Sequence, residues 1–508
     1  MADIKFFGQT FRTTFLFILL AELVVFFIQW MKIAVDLGAY AYFIIVGLVF
    51  IVSLYRLEYG VFAALVELFI GSQGHLLSIN IGQFAVSIRI GIFIAVMLVW
   101  LIWIARKKLF SQTFKYLREN NKIILLALVC FWGLVFALIR GNSPINIFLD
   151  FNAWLYFLYF FPLVTISQQS GQINRLLQIF TASITATAIK ALIFLYVFSH
   201  HFASMRDFYK WGRDTRWGEF TLIQGNLYRI FSQSQIFILI GFFIIIGFLI
   251  FKGKSNYRVT KNQYLAIILF LLLTTTIISL SRSFWVALIL TAIVILYIAF
   301  RYYKFNWKDV GLITIRLLFL TVLSYGLINA IVSFPYPKTD ADASAGALIS
   351  QRFSIDDNAL SSRWSQLPAL TKEITKHPII GSGWGSTVTY LSQDPRILNE
   401  NNPSGQYTTF AFEWGYLDLI LKIGLIGLII YLVLLWSIFK NYLALWKKNS
   451  DRYFRALIIG FLLGLFALII THGFSPYLNH PLGIGYIIIL LAMQEPLSKL
   501  KFEPETLQ

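Results

Sequence analysis

The sequence is poor in charge and almost free of cysteine. Of 508 residues, 13% are Asp, Glu, Lys or Arg, and one, Cys130, is cysteine. A soluble domain carries about 25% charged residues. This chain has too few to cover a water-facing surface, which excludes both a soluble enzyme and a disordered chain. A single cysteine in the middle of an apolar run excludes a disulfide framework and a cysteine-based zinc site. Histidine is also scarce. His75, His200, His201, His377, His472 and His480 include no pair at helical metal-ligand spacing, so no metal is expected.

What the chain has in quantity is apolar sequence. Hydrophobic residues make up 58%, led by 49 Phe, and mean hydropathy is +0.72. About 20 mostly apolar residues suffice for a helix to cross a bilayer. Uncharged stretches of that order lie at Leu37–Tyr55, Phe151–Asn174, Ile230–Phe251, Asn262–Ser281, Ser283–Phe300 and Leu317–Pro337. Weaker or interrupted ones lie near 13–31, 60–71, 90–105, 123–139, 173–199, 414–439, 455–472 and 482–494. The pattern predicts an all-α polytopic transmembrane bundle of about 12–14 spans. The short stretch near 60–71 leaves the number open. No segment alternates with period two, which argues against an outer-membrane barrel. The first apolar run is too long for a cleaved signal and reads as the first span.

The formal charge is +18, from 42 basic and 24 acidic residues. Its placement explains it. The connections 106–122, 252–261, 301–308 and 440–455 are short and basic, and all fall on one side if the spans alternate from a cytoplasmic N-terminus. The tail after 495 joins them. About 24 of the basic residues then lie inside. The excess is a topology signal, and nucleic acid is not an expected partner.

Two long loops face the other side. The first, about 200–229, mixes Arg206, Lys210, Arg213, Arg216 and Arg229 with Trp211, Trp217, Phe208 and Tyr209. That composition suits a lipid headgroup, a sugar or a phosphate. A belt of snorkelling arginines explains it equally well. The second, about 334–413, holds six of the twelve prolines and carries Arg352, Arg363, Lys372, Lys376 and Arg396. Residues 359–376 read as an amphipathic helix capped by Ser361 or Ser362, with Trp364, Leu367, Leu370 and Ile374 at helical spacing. It ends at His377-Pro378, before GSGWGS. Those glycines lack the lysine of a P-loop and read as a tight turn returning the chain to the membrane.

Single residues sharpen the picture. Arg282, in Ser281-Arg282-Ser283, joins two apolar runs with almost no loop and must lie at the outer surface. It reads as a snorkelling anchor or as a bidentate grip on a diphosphate. Glu413 lies at the start of the span EWGYLDLILKIGLIGLI. There it is either a carboxylate favoured by the helix dipole or a general base among arginines. Asp418 and Lys422, four apart, are expected to pair. Glu22, Glu67 and Lys190 fall within spans and are expected to face the bundle interior. His472 and His480 are minor candidates for substrate contact at the outer mouth. No internal repeat and no pair of broken helices is evident.

Three features in order carry a resemblance. They are the Ser281-Arg282 turn, the segment RWSQLPALTKEITKHPIIGSGWGS (363–386), and Glu413-Trp414 followed by nine residues, Gly424, two residues and Gly427. Over about 265–435 the chain resembles the O-antigen ligase/polymerase superfamily of bacterial membrane glycosyltransferases. The resemblance implies transfer of a glycan from undecaprenyl diphosphate to an acceptor hydroxyl at the outer face of the cytoplasmic membrane. The donor carries its own leaving group, so neither cofactor nor metal is implied. It implies roles for Arg282 and Arg229 on the diphosphate. Glu413 would be the base, and Arg352, Arg363, Arg216 and His472 are candidates for substrate binding. Lipid A-core ligases have His-Asn or a similar pair where this chain has Glu413-Trp414. The departure favours a polymerase, or a ligase with another acceptor.

The expected organisation is an N-terminal helical part, 1–264, a ligase/polymerase-like core, 265–440, and a C-terminal hairpin and tail, 441–508. Expected partners are the lipid-linked donor, a glycan or lipid acceptor, membrane lipids, and polysaccharide assembly and chain-length proteins. Competing readings are a lipid-linked glycan flippase and a non-catalytic component of an export complex.

Overall fold

The computed structural model describes residues 4–31, 37–82, 84–108, 121–169, 171–202, 205–253, 259–336, 358–392, 397 and 402–500. Backbone polar groups in hydrocarbon have no water to bond, so apolar runs must satisfy them internally as helices. Eleven helices among the described residues are long and apolar enough to cross a membrane. Two shorter apolar helices, Gln235–Phe251 and Gln263–Ile278, add to them. The stretch near 60–71 is a helix of 14 residues, Leu57–Ile70, buried on most sides. β-structure among the described residues consists of three two-stranded hairpins. The chain is an all-α multi-pass membrane protein.

Burial sorts the helices. Gln235–Phe251 is apolar all round and almost wholly buried, so it occupies the centre. Arg452–His472 packs along it. The two approach at small residues: a Cβ on Gly247 would meet the Cα of Gly460 at 3.1 Å. Apolar side chains gain little from leaving lipid, so close backbone approach supplies the packing. Gln9–Met31, Leu37–Tyr55 and Trp307–Val332 form the periphery and leave most of their apolar residues exposed, as lipid-facing helices do.

The two ends of the bundle differ. At one end four helices finish with basic residues: Arg106 and Lys107, Arg301, Lys447 and Lys448, and Lys499. Cations there offset the negative ends of the helix dipoles. The tight connections at this end are capped. Asn306 and Asp309 form a reciprocal capping box, and Asp451 accepts from the Phe454 N–H at 2.7 Å.

The opposite end carries the long connections. Within the first lie the helix Met205–Asp214 and the hairpin Gly218–Gln224/Leu227–Ser232. Within the second lie the helix Asn358–Ile374 and the hairpin Val388–Leu391/Gln406–Thr409. The loop helix starts at Asn358, so Ser361 and Ser362 fall inside it and neither is its cap.

One span is interrupted by its backbone. Gly415–Lys448 breaks at Gly424, whose φ of 70° and ψ of −179° suit only glycine. The GSGWGS segment enters the bundle at this break. Gly383 N–H donates to Lys422 O (3.0 Å), Leu425 N–H to Pro378 O (2.9 Å) and Ile426 N–H to Ile379 O (3.2 Å). The carbonyls and amides freed by the break are thus paired by the loop. Non-helical backbone survives at membrane depth only where protein covers it in this way. Trp384 fills the gap, fully buried, with its indole N–H on Cys130 O at 2.9 Å. The segment is therefore a plug between helices and more than a surface turn.

Candidate functional site at the loop-bearing end

The hairpin 218–232 sets Arg229. Alternation along Leu227–Ser232 puts Ile230 and Ser232 inward and leaves Arg229 beside Phe231 on the other face. The guanidinium lies 4.7 Å from the Phe231 ring centre. Its Nε donates to Ser279 O at 2.9 Å, and Nη1 lies 3.3 Å from Glu219 Oε2. Arg229 is thereby tied to the last turn before the Ser-Arg element.

That element is as tight as the sequence implied. Leu280 takes a left-handed φ of 48°, Ser281 is extended, and Arg282 opens the helix Arg282–Tyr303. Ser281 and Ser283 hydroxyls are 3.0 Å apart, and Ser283 reaches Ser475 at 3.3 Å. A guanidinium at a helix N-terminus adds positive charge to the positive end of the dipole. The combination favours an anion beside it.

Glu413 is exposed and forms an ion pair with Arg363 of the loop helix. Trp414 anchors the same contact, its indole N–H donating to Arg363 O at 3.1 Å. Trp414 also neighbours Trp364 and Phe474, with ring centres at 5.5 and 6.1 Å. Phe474 precedes Ser475, and Ser475 touches Ser283. Tyr477 neighbours Phe284 at 6.3 Å, and Phe284 neighbours Phe231 at 6.2 Å. Contacts thus run without a gap from Glu413 through the 474–477 turn to Arg282 and Arg229. All three lie at one rim, with Arg363 as the direct partner of Glu413. Burial pushes the Tyr477 phenol up, so it stays protonated.

The other candidates are placed differently. Arg352 lies outside the described residues. Arg216 is exposed in a left-handed turn after Met205–Asp214 and acts on His75 through its charge. Burial, with Arg216 and Arg89 adding to it, holds the His75 imidazole down at about 4. His472, expected at the mouth, is fully buried. Its Nδ1 accepts the Leu478 N–H at 3.1 Å, so it shapes the 473–480 turn from within.

Below the rim is a charge cluster. Lys422 Nζ lies 2.8 Å from Asp418 Oδ1, as the spacing implied, and 2.6 Å from Asp150 Oδ1. Asn479 donates to Asp418, and Gly385 N–H donates to Asp150 Oδ2 at 2.8 Å. The cluster ties the broken helix to the span Pro144–Ser167, to the glycine plug and to the last turn of the loop-bearing end. Asp150 was overlooked in the sequence. A lone carboxylate in NIFLDF, within an apolar run, was the available signal. Asn142, which donates to Trp384 O (2.9 Å) and Ser386 Oγ (3.2 Å), gave no such signal. Glu22, Glu67 and Lys190, expected to face the interior, also pair: Glu22 with Lys190 at 2.6 Å and Glu67 with Arg89 at 2.8 Å.

Long apolar helices with a polar, arginine-bearing rim at the loop end define a multi-pass membrane protein with a candidate site at one membrane surface. Residues 267–432 match the family described as O-Antigen ligase. The matched segment includes Arg282, Arg363, Glu413 and the Gly424 break. Arg216, Arg229 and His472 lie outside it. No curated protein matches the chain.

Proposed function

We propose that the protein is a membrane glycosyltransferase. It transfers a glycan from an undecaprenyl-diphosphate-linked donor to an acceptor hydroxyl at the outer face of the cytoplasmic membrane, in surface polysaccharide assembly. Both termini are then cytoplasmic, and the basic end of the bundle faces inward. The observation that carries the reading is the contact path joining Glu413, Arg282 and Arg229 at the loop-bearing end, with two of the three inside the ligase-family segment.

In this reading Arg282 and Arg229 hold the diphosphate and offset the charge that develops as it departs. The acceptor oxygen attacks the anomeric carbon opposite the leaving group, so configuration inverts. The bond from that carbon to the diphosphate oxygen breaks, and the hydroxyl proton passes to Glu413. Undecaprenyl diphosphate leaves with the bonding pair. The leaving group comes with the donor, so the step needs no metal. Arg363 lies on the loop helix at the rim, and in this reading the long loop orders over bound substrate; Arg352, outside the described residues, is a further candidate for the glycan or a phosphate. Glu413-Trp414, in the place of a His-Asn pair, supports a polymerase or a ligase with another acceptor.

Purified protein in liposomes with a diphosphate-linked donor tests the proposal. Release of undecaprenyl diphosphate with a lengthened or transferred glycan is the expected result. Movement of intact donor across the bilayer without turnover would replace it with a flippase. In a deletion strain, single repeat units left on lipid indicate a polymerase, and long chains stranded on lipid indicate a ligase.

A further inference from the structure

Three aromatic rings frame the ion pair at the rim. Trp414 is fixed at the centre by its indole hydrogen bond to Arg363 O. Trp364 stands edge-to-face with it, and Phe474 lies tilted against it. Both flanking rings are open: Trp364 is 56% exposed and Phe474 40% exposed. The loop helix buries Gln366 and Leu370 instead, which turns Trp364 outward. An apolar stripe read from the sequence would have buried Trp364. Its exposure leaves an open apolar ring beside a carboxylate and a guanidinium.

We propose that Trp364, Trp414 and Phe474 form a platform for one pyranose ring of the acceptor glycan, a proposal that rests on the glycosyltransferase reading above. A pyranose has an apolar C–H face and a rim of hydroxyls. The rings take the face through dispersion and water exclusion. Glu413 and Arg363 take the hydroxyls through charge-assisted hydrogen bonds. The arrangement orients one hydroxyl toward Glu413. At the far side of Phe474, Ser475 bonds Ser283, next to Arg282. The acceptor ring therefore lies between the proton acceptor and the diphosphate grip, where the new bond forms. The platform's specificity is for a sugar with an unobstructed C–H face.

The test uses the full-length protein in nanodiscs. The ligand is an oligosaccharide repeat unit released by mild acid from the surface polysaccharide of the producing cell. Saturation-transfer NMR should place saturation on pyranose ring protons. W364A and F474A should each weaken it, and W364F should restore part of it. In transfer assays W364A should raise the acceptor KM about tenfold, the order expected for one lost aromatic face, with donor KM unchanged. Unchanged saturation and unchanged acceptor KM in both alanine variants would overturn the proposal and leave the rings as interfacial anchors. Saturation in the wild type with no donor turnover under any condition would instead remove the transfer reading and leave a sugar-binding platform.

Discussion

The guanidinium of Arg363 and the carboxylate of Glu413 form an ion pair that ties the loop helix Asn358–Ile374 to the entry of the broken span Gly415–Lys448. The pair makes the two residues one unit. Glu413→Gln should lower transfer by about 100-fold or more, the usual loss for a missing proton acceptor. Arg363→Gln should lower it by about tenfold, through misplacement of Glu413. The double variant should be no worse than Glu413→Gln alone, because residues that act together are not additive. Multiplied losses in single-turnover assays would mean that Arg363 serves the substrate independently.

Arg282 carries the sharpest geometric demand. Lysine keeps the charge and loses the planar fork. Arg282→Lys should reduce polymer or product yield by about 100- to 1,000-fold, the range for loss of one oriented donor. Arg229 is already engaged with Ser279 O and Glu219, so Arg229→Gln should have a smaller effect. Gel profiles of surface polysaccharide from complemented strains check both. Normal product from Arg282→Lys would take Arg282 out of the mechanism.

Much of this architecture was legible in the sequence because a bilayer imposes a simple rule. Length and charge set the spans and the separation of the basic end, and the Asp418/Lys422 pair followed from spacing alone. The tight Ser281-Arg282 turn was forced by two apolar runs with nothing between them. What the sequence hid was long-range pairing. Asp150 joins Lys422 across 272 positions, and Trp384 fills a gap between helices that are distant in the chain. Gly424 was legible only as a glycine of the Glu413-Trp414 motif. Its role as a break depends on the plug at Pro378–Gly383, which supplies the missing partners. His472 looked accessible beside a turn, yet the turn folds back over it.

The break makes a prediction of its own. A Cβ on Gly424 would meet Ile379 O at 2.1 Å, and the backbone there has φ of 70°. Backbone strain alone costs about 1–3 kcal/mol, and the clash with a carbonyl adds to it. Gly424→Ala should lose most monodisperse protein on purification in detergent. Gly47→Ala, where the added carbon meets nothing within 4 Å, should behave as wild type.

Lys422 is the only cation in its buried cluster among the described residues, and it faces two carboxylates. Lys422→Met strands both, which should destabilise the fold by about 3–5 kcal/mol. Adding Asp150→Asn and Asp418→Asn should recover most of the loss, since neutral amides need no counter-ion. Thermal unfolding in detergent separates the outcomes. Equal destabilisation of the single and triple variants would mean that shape, and not charge, is what the cluster contributes.

Acid should loosen the loop-bearing end through His75. Its imidazole is held at about 4, first by burial and then by Arg216 and Arg89. In the unfolded chain it returns to the ordinary value near 6.5. Between those values the unfolded state binds more protons than the folded state, so stability rises with pH. The stabilisation is complete above about 6.5 and is lost as pH falls toward 4. His480, on the neighbouring turn, is held at about 3 by burial and by Arg89, and its effect has the same sign. The pair should make the unfolding temperature in detergent fall between pH 7 and pH 4.5. His75→Gln should flatten that slope without changing the unfolding temperature at pH 7.5. An unaltered slope in His75→Gln would place the acid sensitivity elsewhere in the bundle.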